Sequence, residues 1–183
     1  MAASMNVARR YHIASILSNG KILVTSGYGD SGMLNSAELH DPLANTWTMT
    51  ANMSIARCYH TAFISSDGKI LVTGGFDGRF LKGAELYDPS TTTWTMTASM
   101  SIARNYHTAS ILSNGKILVT GGFGGSDTLH IAELYDPSTN IWAMTANMFT
   151  PRAYHTASVL SNGKILVTGG WISNGVFNGA ELY

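Results

Sequence analysis

Four arginines, Arg9, Arg57, Arg104 and Arg152, recur at equivalent places in the chain, and four aromatic residues, Tyr28, Phe76, Phe123 and Trp171, recur in step with them. A guanidinium fork grips a carboxylate through two parallel hydrogen bonds, and a large ring supplies rigid contact area. Gathered at one mouth, such side chains suit an acidic peptide or a partner protein's surface. The competing reading is structural. A residue repeated in every unit serves the repeat itself, with each arginine paired to a neighbouring unit's glutamate or to backbone carbonyls.

Histidines recur in the same way, as His12, His60, His107 and His155. Imidazole is a common metal ligand. Strict recurrence at one point of each unit argues instead for a bond to the backbone of an adjacent strand, so no metal site is assigned. His40 and His130 stand alone, without ligand spacing. Glu38, Glu85, Glu133 and Glu181 alternate with apolar neighbours and read as hydrogen-bond acceptors between units. Each sits in a different unit, so they form no catalytic carboxylate pair. The run Gly121-Gly122-Phe123-Gly124-Gly125 precedes a strand, and lacks the helix N-terminus of a phosphate cradle. No catalytic residue and no cofactor are expected.

The elements that must position these residues come from the repeat. Tyr11, Tyr59, Tyr106 and Tyr154 are 48, 47 and 48 residues apart, and Gly27, Gly75, Gly122 and Gly170 keep the same step. Units over residues 8–55, 56–102, 103–150 and 151–183 make up a single domain, 1–183, with no linker. In the third unit, residues 106–112 form a strand, Asn114-Gly115 closes a type I′ hairpin, and residues 116–120 return, rich in β-branched side chains. That strand ends at Gly121-Gly122, where missing side chains permit close backbone approach or unusual dihedrals. A third strand covers residues 131–135, and Asp136-Pro137-Ser138 turns the chain. In the second unit residues 93–97 form the outer strand, with Trp94 and Met96 on one face. A single four-stranded sheet cannot bury both of its faces, so the units must stack radially as a propeller.

These units resemble the kelch repeat family. Its double glycine, followed by a tyrosine and a tryptophan, stands here as Gly74-Gly75, Tyr87 and Trp94, and again as Gly121-Gly122, Tyr135 and Trp142. The resemblance covers nearly the whole chain. It implies an all-β, kelch-type β-propeller of about four blades, each a four-stranded antiparallel sheet, with the last blade incomplete, forming an open arc or part of a larger ring. Ser26 replaces the first glycine of unit one and His40 replaces its tyrosine, departures expected to weaken local packing without changing the fold. The chain is expected either to belong to a longer protein or to complete its ring with a second copy. Kelch domains that capture acidic peptides use arginines at this repeat position and tyrosines after the glycine pair. The resemblance therefore implies a partner-binding mouth of Arg9, Arg57, Arg104, Arg152, Tyr28, Phe76, Phe123 and Trp171, in which only Tyr28 keeps the hydroxyl. Kelch-type blades also build galactose-oxidase-like copper enzymes, and Cys58 beside Tyr59 is the one trace of that chemistry. A third reading is glycan binding through Trp171 and Phe123.

Eleven Lys and Arg balance eleven Asp and Glu. A net charge of zero removes the long-range electrostatic pull toward nucleic acid or an anionic membrane. No apolar run approaches the roughly 20 residues that span a bilayer. Cys58, the single cysteine, has no partner for an intramolecular disulfide. Repeat sequence is under way by Ala3, so no leader peptide is expected. A cytoplasmic location is expected, unless the chain is a piece of a longer one. The expected function is a non-enzymatic scaffold that binds a protein or peptide. On that reading, replacing Arg57, Arg104 and Arg152 with alanine abolishes capture and leaves the fold intact.

Overall fold

The structure, a computed structural model, describes residues 2–183. Blade 1 contains the strands Ile13–Ile16, Ile22–Thr25, Ala37–Asp41 and Thr46–Met49. Blade 2 contains Thr61–Ile64, Ile70–Thr73, Ala84–Asp88 and Thr93–Met96, and blade 3 contains Thr108–Ile111, Ile117–Thr120, Ala132–Asp136 and Ile141–Met144. Blade 4 has three strands, Thr156–Val159, Ile165–Thr168 and Ala180–Leu182. Every sheet is antiparallel and its strands lie in chain order. The inner strands pack blade 1 on 2, 2 on 3 and 3 on 4.

The first hairpin of each blade differs in detail from the expected type I′ turn. In blade 3 the Gly115 N–H donates to the Leu112 carbonyl at 2.9 Å, and the Leu112 N–H donates to the Lys116 carbonyl at 2.8 Å. Gly115 has φ +79 while Asn114 keeps a negative φ. This is a type I turn followed by a left-handed glycine, one residue longer than a two-residue loop. Asn114 contributes through its side chain, whose Oδ1 accepts the Lys116 N–H at 3.1 Å. The hairpin itself holds, with Ile111 opposite Ile117.

The core lies between blades. Each blade presents one face forward and one backward, and unlike faces meet. Leu23, Ala37 and Leu39 of blade 1 pack on Ile64, Ile70 and Tyr87 of blade 2. Leu71, Ala84 and Leu86 of blade 2 meet Ile111, Ile117 and Tyr135 of blade 3. Leu118, Ala132 and Leu134 of blade 3 meet Ala157, Ile165 and Tyr183 of blade 4. The outer strands tie into the same seams, because the Trp94 indole N–H donates to the Ala51 carbonyl and that of Trp142 to the Ala98 carbonyl, each at 2.9 Å.

The two departures in unit one retain the contacts of the repeat. Ser26 adopts the left-handed φ of +57 that glycine takes elsewhere, and its hydroxyl donates to the Leu34 carbonyl at 3.0 Å. The His40 ring stacks on Trp47 with centroids 4.7 Å apart, as Tyr87 stacks on Trp94 at 5.0 Å. The local cost is a buried His40 Nε2 without a hydrogen-bond partner among the described residues.

Candidate functional site

The arginines lie inside the blades. Arg104 Nη1 donates to the carbonyls of Gly121 and Ile131 at 2.9 and 2.8 Å, and its Nη2 donates to Glu133 Oε1 at 2.8 Å. Arg57 makes the same set with Gly74, Gly83 and Glu85. Arg9 does so with Ser26, Ser36 and Glu38, and Arg152 with Gly169, Gly179 and Glu181. In the Arg9–Glu38, Arg57–Glu85 and Arg104–Glu133 pairs both side chains are 0% exposed. A charge removed from water must be paired and hydrogen-bonded, and here the second strand's end and the third strand meet that need. This corrects the expectation that the arginines line a mouth. The structural reading holds for the backbone carbonyls, while the paired glutamate is the blade's own and not a neighbour's.

The glutamates join blades by another route. Glu133 also accepts the N–H groups of Ser101 and Ile102 at 2.6 and 3.1 Å, from the segment that crosses from blade 2 into blade 3. Glu85 receives Ser54 and Ile55 in the same manner. Burial alone would push the Glu38 carboxyl up; the amides of Asn6 and Val7 with the Arg9 guanidinium outweigh it and hold Glu38 below its ordinary value. Burial draws Arg57 and Arg104 below theirs, with Glu85 and Glu133 opposing.

What lines the hub opening is aromatic. Tyr11, Tyr59, Tyr106 and Tyr154 all adopt left-handed backbone, with φ between +51 and +58, a conformation that costs a non-glycine residue about 1 kcal/mol. Their rings form a ladder, with successive centroids 4.5, 4.3 and 3.9 Å apart. The Tyr154 N–H donates to the Tyr106 carbonyl at 3.0 Å, which fixes one rung on the next. The residue before each tyrosine pairs with the aromatic after the glycine pair: Arg10 with Tyr28, Cys58 with Phe76, Asn105 with Phe123 and Ala153 with Trp171. A second aromatic row thus stands beside the first, and the Phe123 ring lies 5.8 Å from that of Tyr154. Tyr11, Tyr28, Tyr154 and Trp171 are exposed, while Phe76 and Phe123 are half-buried. Arg10, an exposed arginine outside the repeat, sits 5.1 Å from the Tyr11 centroid and 5.2 Å from that of Tyr28.

The structure therefore sets each of the four predicted aromatics beside the tyrosine of its own blade and encloses the four predicted arginines within the blades. The tyrosine ladder and Arg10 are additions. The ladder's signal was the Tyr-His pair in every unit, which marks the period without revealing a left-handed backbone.

The histidines point away from metal chemistry. His60 Nε2 shares a hydrogen bond with Thr25 Oγ1 at 3.2 Å, and His107 Nε2 with Thr61 Oγ1 at 2.7 Å. His155 Nε2 lies 2.9 Å from Thr108 Oγ1. Each partner is a threonine hydroxyl on the preceding blade, where a backbone group was expected. Burial, assisted by Arg57, lowers His60 to about 3, and burial with Arg152 lowers His155 to about 4. Cys58 is buried, its thiol is pushed up by burial, and its sulfur rests 3.6 Å from the Phe76 carbonyl. With the Nε2 atoms of His60, His107 and His155 engaged by threonines, these three do not fit the copper ligands of a galactose-oxidase-like enzyme. Among the described residues no three His, Cys, Asp or Glu are grouped to hold a metal ion.

Four antiparallel sheets packed face to face about one hub, with an aromatic opening, define a β-propeller. The family model of the Kelch motif matches residues 57–101 and 104–149, and the chain belongs to the kelch repeat family. No curated protein matches the chain. Kelch propellers serve generally as scaffolds for binding proteins.

Proposed function

We propose that the chain binds an extended segment of a partner protein across its aromatic hub face, with Arg10 receiving an acidic side chain. The observation that carries this reading is the double row of rings. Exposed tyrosine and tryptophan offer large contact area at little conformational cost, which is why such residues dominate binding hot spots. Four tyrosines share a strained backbone on the same surface, a pattern that gathers where a protein holds a ligand. Arg10 is exposed there, whereas the repeat arginines are enclosed. Its guanidinium lies near the Tyr11 and Tyr28 rings and keeps its donors for a carboxylate.

The test is selection of random peptides displayed against the immobilised protein. Enriched peptides should carry Asp or Glu beside apolar residues. Changing both Tyr154 and Trp171 to alanine should weaken a selected peptide by about tenfold or more. Arg10→Ala should remove most of the salt dependence. Affinity unchanged in the Tyr154→Ala, Trp171→Ala protein, with an unaltered melting temperature, would remove the site.

A further inference from the structure

The three seams between blades follow one pattern, and the chain carries an unmatched half of that pattern at each end. The forward half belongs to blade 4. At this face Ala180 and Leu182 are exposed, and Leu182 reaches 58%, whereas the equivalent Ala37, Ala84 and Ala132 are each 0% exposed within seams. The backward half belongs to blade 1. There Ile16 is 70% exposed, while the equivalent Ile64 and Ile111 pack into seams.

Polar groups at the two faces match as well. Within the chain, the second glycine N–H of each blade donates to the arginine carbonyl of the next: Gly27 to Arg57, Gly75 to Arg104 and Gly122 to Arg152, at 2.9, 2.8 and 2.8 Å. The fourth donor, Gly170, has no such partner among the described residues, and the fourth carbonyl, that of Arg9, belongs to blade 1. Each histidine meets a threonine of the preceding blade, as His155 meets Thr108 and Thr120. On blade 4 the equivalent Thr156 and Thr168 bond to each other at 2.8 Å, and His12 on blade 1 has no threonine partner among the described residues. Space agrees with chemistry. A Cβ added to Gly74 would strike His107 Cε1 at 2.6 Å and Met100 Cε at 3.2 Å, whereas one added to Gly169 would meet only the Phe177 carbonyl, at 3.5 Å. The vacancy beside Gly169 corresponds to the places that His12 and Met5 take in the repeat.

We propose that blade 4 of one copy docks on blade 1 of a second copy through a fourth seam of the same kind. The Gly170 N–H then donates to the Arg9 carbonyl, His12 bonds to Thr156 or Thr168, and Ile16 covers Leu182. The contact joins unlike surfaces and is head-to-tail, so two copies that exchange both faces close a ring. Twice four blades falls within the range that propellers occupy. Closure also sets Tyr11 beside the Tyr154 of the second copy, which makes the tyrosine ladder continuous. The seam stands on the faces alone and does not depend on peptide binding.

Light scattering and sedimentation of three proteins test it: the wild type, Ile16→Glu and Leu182→Glu. Both substituted side chains are exposed in the single chain, so each variant should fold and show an unchanged strand spectrum. The wild type should weigh about twice the 19.6 kDa of one chain, and each variant should weigh one chain. The two variants mixed should associate again, because one retains a working blade 4 face and the other a working blade 1 face. A wild type that stays at 19.6 kDa at high concentration overturns the seam. So does a variant that keeps the wild-type mass, or a mixture that remains apart.

Discussion

His107 Nε2 lies 2.7 Å from Thr61 Oγ1, and the two residues belong to different blades. The bond crosses the seam at the hub and recurs as His60 to Thr25 and His155 to Thr108. The other ring nitrogen, Nδ1, is buried without a partner among the described residues in all three histidines. A protonated imidazole would leave that second N–H stranded away from water, so each ring is held neutral.

Acid should therefore open the propeller. The folded-state values lie below the ordinary 6.5, at about 3 for His60 and about 4 for His155, with burial the leading cause. Unfolded chains take up these protons first, so stability is full above pH 6.5 and falls as the pH drops toward 4 and 3. Glu38, held below its ordinary 4.5, adds to the loss only in the lower part of that window. A His60→Gln protein should show a shallower decline between pH 6.5 and 4.5 than the wild type, in urea titrations at each pH. Parallel declines would mean that the histidines are not the cause.

Removing a repeat arginine should damage the fold. Arg104→Ala leaves Glu133 buried with two amide donors and no countercharge, and strands the carbonyls of Gly121 and Ile131. Breaking one side of such a pair costs about 3–5 kcal/mol. Urea unfolding should show that loss, and the triple Arg57, Arg104 and Arg152 alanine variant should fail to fold. An Arg104→Ala protein that melts with the wild type would return the arginines to the surface.

The tryptophans should act as seam bolts through a single hydrogen bond. Trp142→Phe keeps the stacking on Tyr135, whose ring centroid is 4.9 Å away, and deletes the indole donor to the Ala98 carbonyl. The expected cost is about 1 kcal/mol, with Trp94→Phe costing the same by way of Ala51. A cost near zero for both would assign the tryptophans to stacking alone.

The blades were legible in the residues because the period fixes everything local. Asn114-Gly115, Gly121-Gly122 and Asp136-Pro137-Ser138 each declare a chain reversal, and the apolar alternation between them declares strands. The turn type at Asn114 differs, since an Asn side chain can stabilise a turn without the residue's own backbone becoming left-handed. The site was harder to read for one reason. Arg104 and Phe123 both recur with the period, and recurrence cannot distinguish a residue enclosed within a blade from one beside the tyrosine ladder. Arg10 is the converse case. It occurs once, so the period does not mark it, although it lies beside the Tyr11 and Tyr28 rings.

The glycine pair offers the sharpest separation of backbone strain from steric exclusion. Gly122 has φ +98, and an added Cβ would lie 2.5 Å from the Asn105 carbonyl oxygen and 2.9 Å from His107 Cβ. Neither obstacle can retreat. The Gly122 N–H is fixed to the Arg152 carbonyl at 2.8 Å, the Asn105 carbonyl accepts the Phe123 N–H at 2.8 Å, and His107 is bonded across the seam to Thr61. Gly163 has a similar positive φ, +80, but nothing within 4 Å of its added Cβ. Gly163→Ala should thus carry only the left-handed backbone cost, about 1 kcal/mol. Gly122→Ala should carry that cost plus displacement of a blade's inner edge, about 3 kcal/mol or more in total, of the order seen when a packed core is overfilled. Urea unfolding of the two variants side by side decides the matter. Equal losses would show that the repeat keeps its second glycine for dihedral freedom alone, and that the approach of neighbouring chain segments at the hub tolerates a methyl group.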